Sequence, residues 1–359
     1  MLDIIYDGMA GSCGKGKFAG YLALRNNYDF SVNNFMTNAG HTWVSDSGEA
    51  VMVQHLSQSV VDGKSTIYIS AGAAITPETL LAELEKYKHY NAKSRLRIHP
   101  RAMIIEERHR ASEAASLKRI GSTTKGCGHA LADKVMRDER VILAKDHPEL
   151  KQFVDDGMTH DMINILKNGG RGILEMPQGY DLDVNHGLSY PECTSRQTTP
   201  LQGLADAGIP HTFINNVIAT IRTYPIRVGN VFEDGKQIGF SGPYADAQEL
   251  TWEEIERMSG APAGHFSGKE LTTVTQRLRR VFTPSWSRLR SMVGTCAPTT
   301  IALNFAQYLD INAEGATEFD QLSDKVKDFI YKVEAETGVS VGMIGTGAKD
   351  SEIIIRGGI

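Results

Sequence analysis

Four glycines, Gly8, Gly11, Gly14 and Gly16, lie between a β-prone apolar run (Leu2, Ile4, Ile5, Tyr6) and a helix-like run that starts near Phe18. Strand, glycine-rich turn and helix start constrain this chain more than any other feature. Glycine lets backbone N–H groups approach an anion, and the start of a helix adds positive potential there. Lys15 and Lys17 stand among the last of these glycines. The spacing is not that of a Walker A loop. Five residues, not four, separate Gly8 from Gly14, and Gly16 takes the place after Lys15 where a Mg²⁺-binding hydroxyl would stand. A glycine-rich turn inside any α/β domain would look alike, so the loop alone leaves a phosphate site and a plain turn both open.

The rest of the chain extends the α/β pattern. Strand-like segments at 51–56, 66–70, 96–98, 103–105, 173–176, 300–305, 339–344 and 352–356 alternate with helix-like ones. Pro77 opens a helix with Leu80, Leu81, Leu84 and Tyr87 at helical spacing. A polar helix is expected over 107–118, and a long one over 147–167 that Gly169-Gly170 ends. This alternation predicts a large, mostly parallel central sheet covered by helices. A chain of 359 residues can hold two domains, but α/β folds of this size often form one. One domain over 1–359 with small peripheral subdomains is expected. A net charge of −5 lacks the basic excess of a nucleic-acid surface, so no direct nucleic-acid partner is expected. The start, MLDIIYDG, has no signal-peptide pattern, and no apolar run reaches membrane-spanning length. None of the four cysteines, Cys13, Cys127, Cys193 and Cys296, forms a CxxC pair, which argues against a zinc site or redox dithiol. A reduced, cytoplasmic protein without a membrane partner is expected.

Four further segments carry chemistry. Asn38-Ala39-Gly40-His41-Thr42 puts one histidine in a short polar loop. A lone histidine is usually structural, but beside a phosphate loop an imidazole can stabilise charge on a transferring phosphoryl group. Ser122, Thr123 and Thr124 precede Gly126 and Gly128, offering hydroxyls and free amides to a monophosphate, or forming a surface loop. Gln178 follows an apolar strand, where its amide could donate to a purine O6 or merely cap the strand. The run Leu271 to Arg280, LTTVTQRLRR, is a solvated basic face or a dicarboxylate grip, since arginine binds carboxylate in bidentate fashion.

Taken together, G-S-C-G-K-G-K followed by N-A-G-H-T resembles the adenylosuccinate synthetase family, which carries G-D-E-G-K-G-K and N-A-G-H-T at about this separation. The segment 175–199 resembles that family's E-G-A-Q-G stretch, 120–128 its I-G-T-T-G-R-G, and 271–280 its T-T-G-R-R-R-R. The resemblance covers most of the chain. It implies one large central sheet with a P-loop-like phosphate site, and a two-step reaction. A γ-phosphoryl group moves to O6 of a 6-oxopurine nucleotide, and L-aspartate then displaces phosphate from C6. It also implies a set of roles. Ser12, Lys15, His41 and Gln178 take the catalytic positions, with His41 as general acid. Ser12, Gly14, Lys15, Gly16, Lys17, Gly40, His41 and Thr42 surround the triphosphate, and Gly345 and Gly347 line its base. Ser12, Asn38, Ser122, Thr123, Thr124, Gln178 and Thr194 hold the acceptor nucleotide. Arg137 reaches it from the other subunit of a homodimer. Thr273, Val274, Thr275, Arg277 and Arg279 hold L-aspartate, and Mg²⁺ is held at Ser12 and Gly40.

Two departures set this chain apart. Ser12 and Cys13 replace the family's Asp-Glu, and the guanine-reading T-K-L-D is absent; Gln307 takes the place of its aspartate. A smaller Ser12 leaves room for a 2-amino group beside purine N1, and the Gln307 amide can pair with adenine where a carboxylate cannot donate. The closest resemblance is therefore to the phage-type branch that makes 2-aminoadenine nucleotides from dGMP, L-aspartate and ATP or dATP, working in the host cytoplasm. An ordinary adenylosuccinate synthetase using IMP and GTP, and an inactive nucleotide-sensing paralogue lacking the acid at position 12, are the alternatives.

Overall fold

The computed structural model describes residues 1–244, 246–268, 270–272 and 277–357. Nine strands form one sheet and are numbered here in chain order: β1 Leu2–Asp7, β2 Phe30–Asn33, β3 Thr66–Ile69, β4 Leu96–Ile98, β5 Gly172–Gly179, β6 Ile214–Arg222, β7 Thr300–Asn304, β8 Val341–Gly345 and β9 Ile353–Ile355. Their spatial order is β9-β8-β7-β6-β1-β5-β2-β3-β4. All neighbours are parallel except β8 and β9, where Met343 faces Ile355 in antiparallel register. Every residue of β1, β2, β7 and β8 is buried, as a parallel sheet covered on both faces requires.

One face packs Leu2, Ile4 and Tyr6 against Leu174, Met176, Leu204 and Ile301. The other packs Ile5, Ile218, Ala302 and Met343 against Phe18, Ala19 and Leu22 of helix α1, Lys15–Arg25. A separate cluster around Val51, Ile67, Leu80, Leu84 and Leu96 seats helix α2, Pro77–Lys86, near the β3–β4 edge.

The strand order places the site. β1 has β6 on one side and β5 on the other, and the chain moves outward from β1 in both directions. Such a reversal opens a crevice beyond the carboxyl ends of the strands. Asp7, Asn33, Gly179, Arg222, Asn304 and Gly345 mark those ends.

Three sequence expectations change. The long helix over 147–167 is broken: Lys151–Phe153 is a 3₁₀ turn, Val154 bridges to Ile98, and the helix runs only over Met158–Lys167. Asp155 Oδ1 accepts the Gly157 N–H at 2.9 Å, an Asx turn that competes with helix at that point. Met103–Ile104 pairs with Ala74–Ile75 outside the central sheet. Strands β2 and β6 have no counterpart in the sequence reading, although β6 lies beside β1 in the middle of the sheet. Among the described residues no helix is long and apolar enough to cross a membrane.

Candidate active site

A cavity of about 620 Å³ opens over the carboxyl ends of the strands. Its floor is the loop after β1, which a buried carboxylate shapes. Asp7 Oδ1 accepts the Met9 and Gly11 N–H groups at 2.9 and 3.3 Å, and Oδ2 accepts that of Cys13 at 3.0 Å. Those amides are therefore turned inward. The donors left for an anion are those of the first turn of α1, which have no intrahelical acceptor. Gly14 (φ 80°) begins that turn, and a Cβ there would lie 1.9 Å from Asn304 Nδ2. A Cβ on Gly16 would lie 2.8 Å from the Thr42 nitrogen, so this glycine lets the 38–42 loop close over the helix start.

Lys15, His41 and Glu175 meet at that point. Lys15 Nζ is 2.8 Å from His41 Nε2, and His41 Nδ1 is 2.7 Å from Glu175 Oε1. Nδ1 is within ion-pair reach of Glu175 Oε1, which has no hydrogen-bond partner among the described residues, and Nε2 is placed to accept from Lys15. Glu175 also accepts the Gln58 N–H at 2.8 Å. Burial, then the Lys15 charge, hold the imidazole below its usual value. Burial lowers the Lys15 ammonium as well, partly offset by Glu175 and Asp7. Burial alone would raise the Glu175 carboxyl, but His41, Lys15 and the Gln58 amide outweigh it and the group lies low. The sequence reading did not single out Glu175; it is a buried acid in the middle of β5, opposite Asn33 in register.

Lys17 is placed differently from its expected contact with phosphate. Its buried Nζ donates to the Gly347 and Glu352 carbonyls at 2.6 and 2.7 Å, and burial lowers its pKa to about 7. Its tie is to the loop after β8. Gly347 lines the cavity, whereas Gly345 packs behind Asn304, with room for no side chain. Gln307 is buried at the cavity wall, its Oε1 without a hydrogen-bond partner among the described residues.

Ser12 is exposed at the cavity mouth with φ 57°. Gln178, also left-handed (φ 54°), donates from Nε2 to Asn38 Oδ1 at 2.8 Å. Residues in that region of backbone space carry strain that surroundings must hold. Gly40, Thr42, Ser122, Thr123 and Thr194 also line the cavity. Ser122 Oγ donates to Glu113, and the helix Cys127–Met136 points its start at this wall. Thr124 and Arg137 are exposed and outside the lining.

Of the expected aspartate group, Thr273, Val274 and Thr275 lie outside the described residues. Arg279 lines the cavity and donates to Glu270 Oε2 at 3.1 Å. Arg277 instead donates to the Gly121, Ser122 and Gly229 carbonyls at 3.2–3.3 Å, tying the basic run to the Ser/Thr loop. Arg222, Glu270 and Tyr308 line the same wall and were not singled out in the sequence, although Glu270 adjoins the 271–280 run and Tyr308 follows Gln307.

Fold and cavity define an α/β nucleotide-binding enzyme whose anion loop, imidazole and arginine pair share one crevice. The chain matches the adenylosuccinate synthetase family over residues 9–161 and 142–311, and it belongs to that family. It is therefore a C–N ligase that joins a purine nucleotide to aspartate. It is 34% identical to the N6-succino-2-amino-2'-deoxyadenylate synthase of Acinetobacter phage SH-Ab 15497, over 91% of this chain and 89% of that one. It is 32% identical to the adenylosuccinate synthetase of Pyrococcus horikoshii, over 98% of each chain. A solved structure of the succinoaminodeoxyadenylate synthetase of cyanophage S-2L, bound to dGMP and dATP as an energy donor, superposes with a TM-score of 0.81 at 30% identity, covering 99% of this chain and 95% of that one.

Proposed function

We propose that this enzyme joins L-aspartate to C6 of dGMP, with an adenine nucleoside triphosphate as phosphoryl donor, giving N6-succino-2-amino-2'-deoxyadenylate for 2-aminoadenine DNA. The observation that carries the proposal is Ser12. A small side chain stands in the left-handed turn where relatives that act on IMP carry aspartate, and it leaves space for the 2-amino group of guanine. The phage relatives named above support the same acceptor and donor. Gln307, buried with a free amide oxygen, is suited to accept from the adenine N6 amine while its NH₂ donates to N1.

In this reading Lys15 and the α1 amides hold the triphosphate, and His41, oriented by Glu175, faces the phosphoryl group moving to O6. Gln178, fixed by Asn38, addresses the purine. The wall of Ser122, Thr123 and Thr194 takes the 5'-phosphate, with Arg137 supplied by a second copy of the chain in a homodimer. Arg279 takes an aspartate carboxylate. Among the described residues no group of three or more His, Cys, Asp or Glu is arranged to hold a metal. That fits Mg²⁺, which takes one or two protein oxygens when phosphates supply the rest. The Gly40 carbonyl and the Ser12 hydroxyl would hold the ion, which would neutralise phosphate charge.

The test is phosphate release with IMP, dIMP, GMP and dGMP, each paired with ATP, dATP or GTP, in the presence of aspartate and Mg²⁺. The expected maximum is dGMP with ATP or dATP. A maximum with IMP and GTP would make this an ordinary adenylosuccinate synthetase, and no release with any pair would make it a non-catalytic nucleotide binder.

A further inference from the structure

Arg222 is fully buried at the end of β6 and touches three parts of the cavity wall. Its Nη1 donates to the Ser12 carbonyl at 3.2 Å. Its Nη2 donates to Glu270 Oε1 at 2.8 Å. Its guanidinium lies 4.2 Å from the ring centre of Phe305, itself in a left-handed turn (φ 65°) two residues before Gln307. Tyr308 completes the group by donating to Glu270 at 2.6 Å, and Arg279 holds the other carboxylate oxygen.

The contact with Ser12 has a specific consequence. The Ser12 carbonyl and the Cys13 N–H belong to one peptide plane. Arg222 holds its oxygen and Asp7 its N–H. Both ends of the plane are fixed by buried ionisable groups, which sets the direction of the Ser12 side chain despite its unfavourable φ. On its other side Arg222 shares Glu270 with Arg279. Two guanidinium groups flank one carboxylate, so the group carries one positive charge beyond balance in a desolvated wall. That excess suits a carboxylate ligand.

We infer that Arg222 is a positioning residue that sets Ser12 toward the purine and, through Glu270, sets Arg279 toward aspartate, so that base choice and aspartate capture depend on one buried side chain. This rests on the roles given above to Ser12 and Arg279. Arginine suits this place because its planar fork presents Nη1 to the Ser12 carbonyl and Nη2 to Glu270 in one fixed geometry, which the single freely rotating nitrogen of a lysine does not reproduce.

The experiment compares the full-length parent with Arg222→Lys, Tyr308→Phe and the Arg222→Lys/Arg279→Leu pair. It measures thermal midpoint, kcat/KM for dGMP and dIMP, and KM for aspartate. Arg222→Lys is expected to bring the dGMP to dIMP preference at least about fivefold nearer to one and to raise aspartate KM about tenfold. Adding it to Arg279→Leu should raise aspartate KM no further, because the two act through one contact. Tyr308→Phe, which keeps both arginines, should raise aspartate KM about threefold and leave base preference alone. A folded Arg222→Lys enzyme that loses kcat equally on both bases, with aspartate KM within twofold, overturns the inference. If Arg222→Lys does not fold, Tyr308→Phe decides: an unchanged aspartate KM overturns it. A parent that prefers dIMP to dGMP would sink the proposed substrate but not this inference, which predicts the same loss of preference in the opposite direction.

Discussion

Two buried clusters in this cavity have the same outline and opposite chemistry. Lys15, His41 and Glu175 place one carboxylate between two basic groups, and Arg222, Arg279 and Glu270 do the same elsewhere in the cavity wall. In the first cluster burial lowers the pKa of both basic groups. Burial and the Lys15 charge favour the neutral imidazole, which can accept a proton. In the second, guanidinium groups keep their charge whatever their surroundings. Burial would raise the Glu270 carboxyl, but Arg222 and Arg279 outweigh it and keep it ionised. The first cluster is built to handle protons beside a phosphoryl group, the second to hold fixed charge beside a carboxylate. The choice of base, not the geometry of the triad, makes the difference.

The largest expected break falls on the proton-handling cluster. His41→Asn should lower kcat by about 10²–10⁴-fold, while aspartate KM stays within about threefold. Single-turnover phosphate release would measure the first value and steady-state titration the second. A parallel rise in aspartate KM would mean that the two clusters do not divide the work in this way.

Arg279→Leu probes the other cluster. Loss of one cation from a buried carboxylate contact should raise aspartate KM about 100-fold, with donor KM little changed. A change within twofold would remove Arg279 from the aspartate site. Part of the loss would come from Glu270, which would retain only Arg222 and Tyr308.

Ser12→Asp, between the clusters, should cut kcat/KM for dGMP by about 10–200-fold through crowding, and should restore some use of IMP or dIMP. Equal use of dGMP by parent and variant would show that room at this position does not choose the base.

The smallest effect sharpens the contrast at a second histidine. His55 is more deeply buried than His41, and its ring has no carboxylate partner; its Nε2 accepts the Thr76 N–H at 3.2 Å, and burial lowers its pKa to about 3. Below pH 6.5 the unfolded chain takes up a proton that the folded one refuses, so stability falls as the pH drops from 6.5 toward 3. At pH 5 the loss from this residue is about 2 kcal/mol. His55→Gln should therefore reduce the fall in thermal midpoint between pH 7 and pH 5, leaving kcat at pH 7 within about twofold. An unchanged acid dependence would mean that His55 does not set it.

Lys15 and His41 of the proton-handling half could be read locally. Gly14, Lys15, Gly16 and the 38–42 loop are close in the chain, and their residue types admit few conformations, so β1, the turn and α1 were legible in the residues themselves. The α/β class followed for the same reason, from short-range alternation. The remaining contacts depend on the long-range order of the strands. Glu175 reaches His41 because β5 lies beside β1, a pairing of strands about 170 residues apart that no local pattern encodes. Strand β6 escaped notice, yet it inserts beside β1 and delivers Arg222 to the wall. Lys15 and Lys17 are equivalent in the sequence, but the turn of α1 directs one to His41 and the other to the Gly347 and Glu352 carbonyls. The physical reason is the same throughout. Backbone preferences and glycine spacing act over a few residues, whereas a buried charge is partnered by whichever strand end the sheet order brings near it.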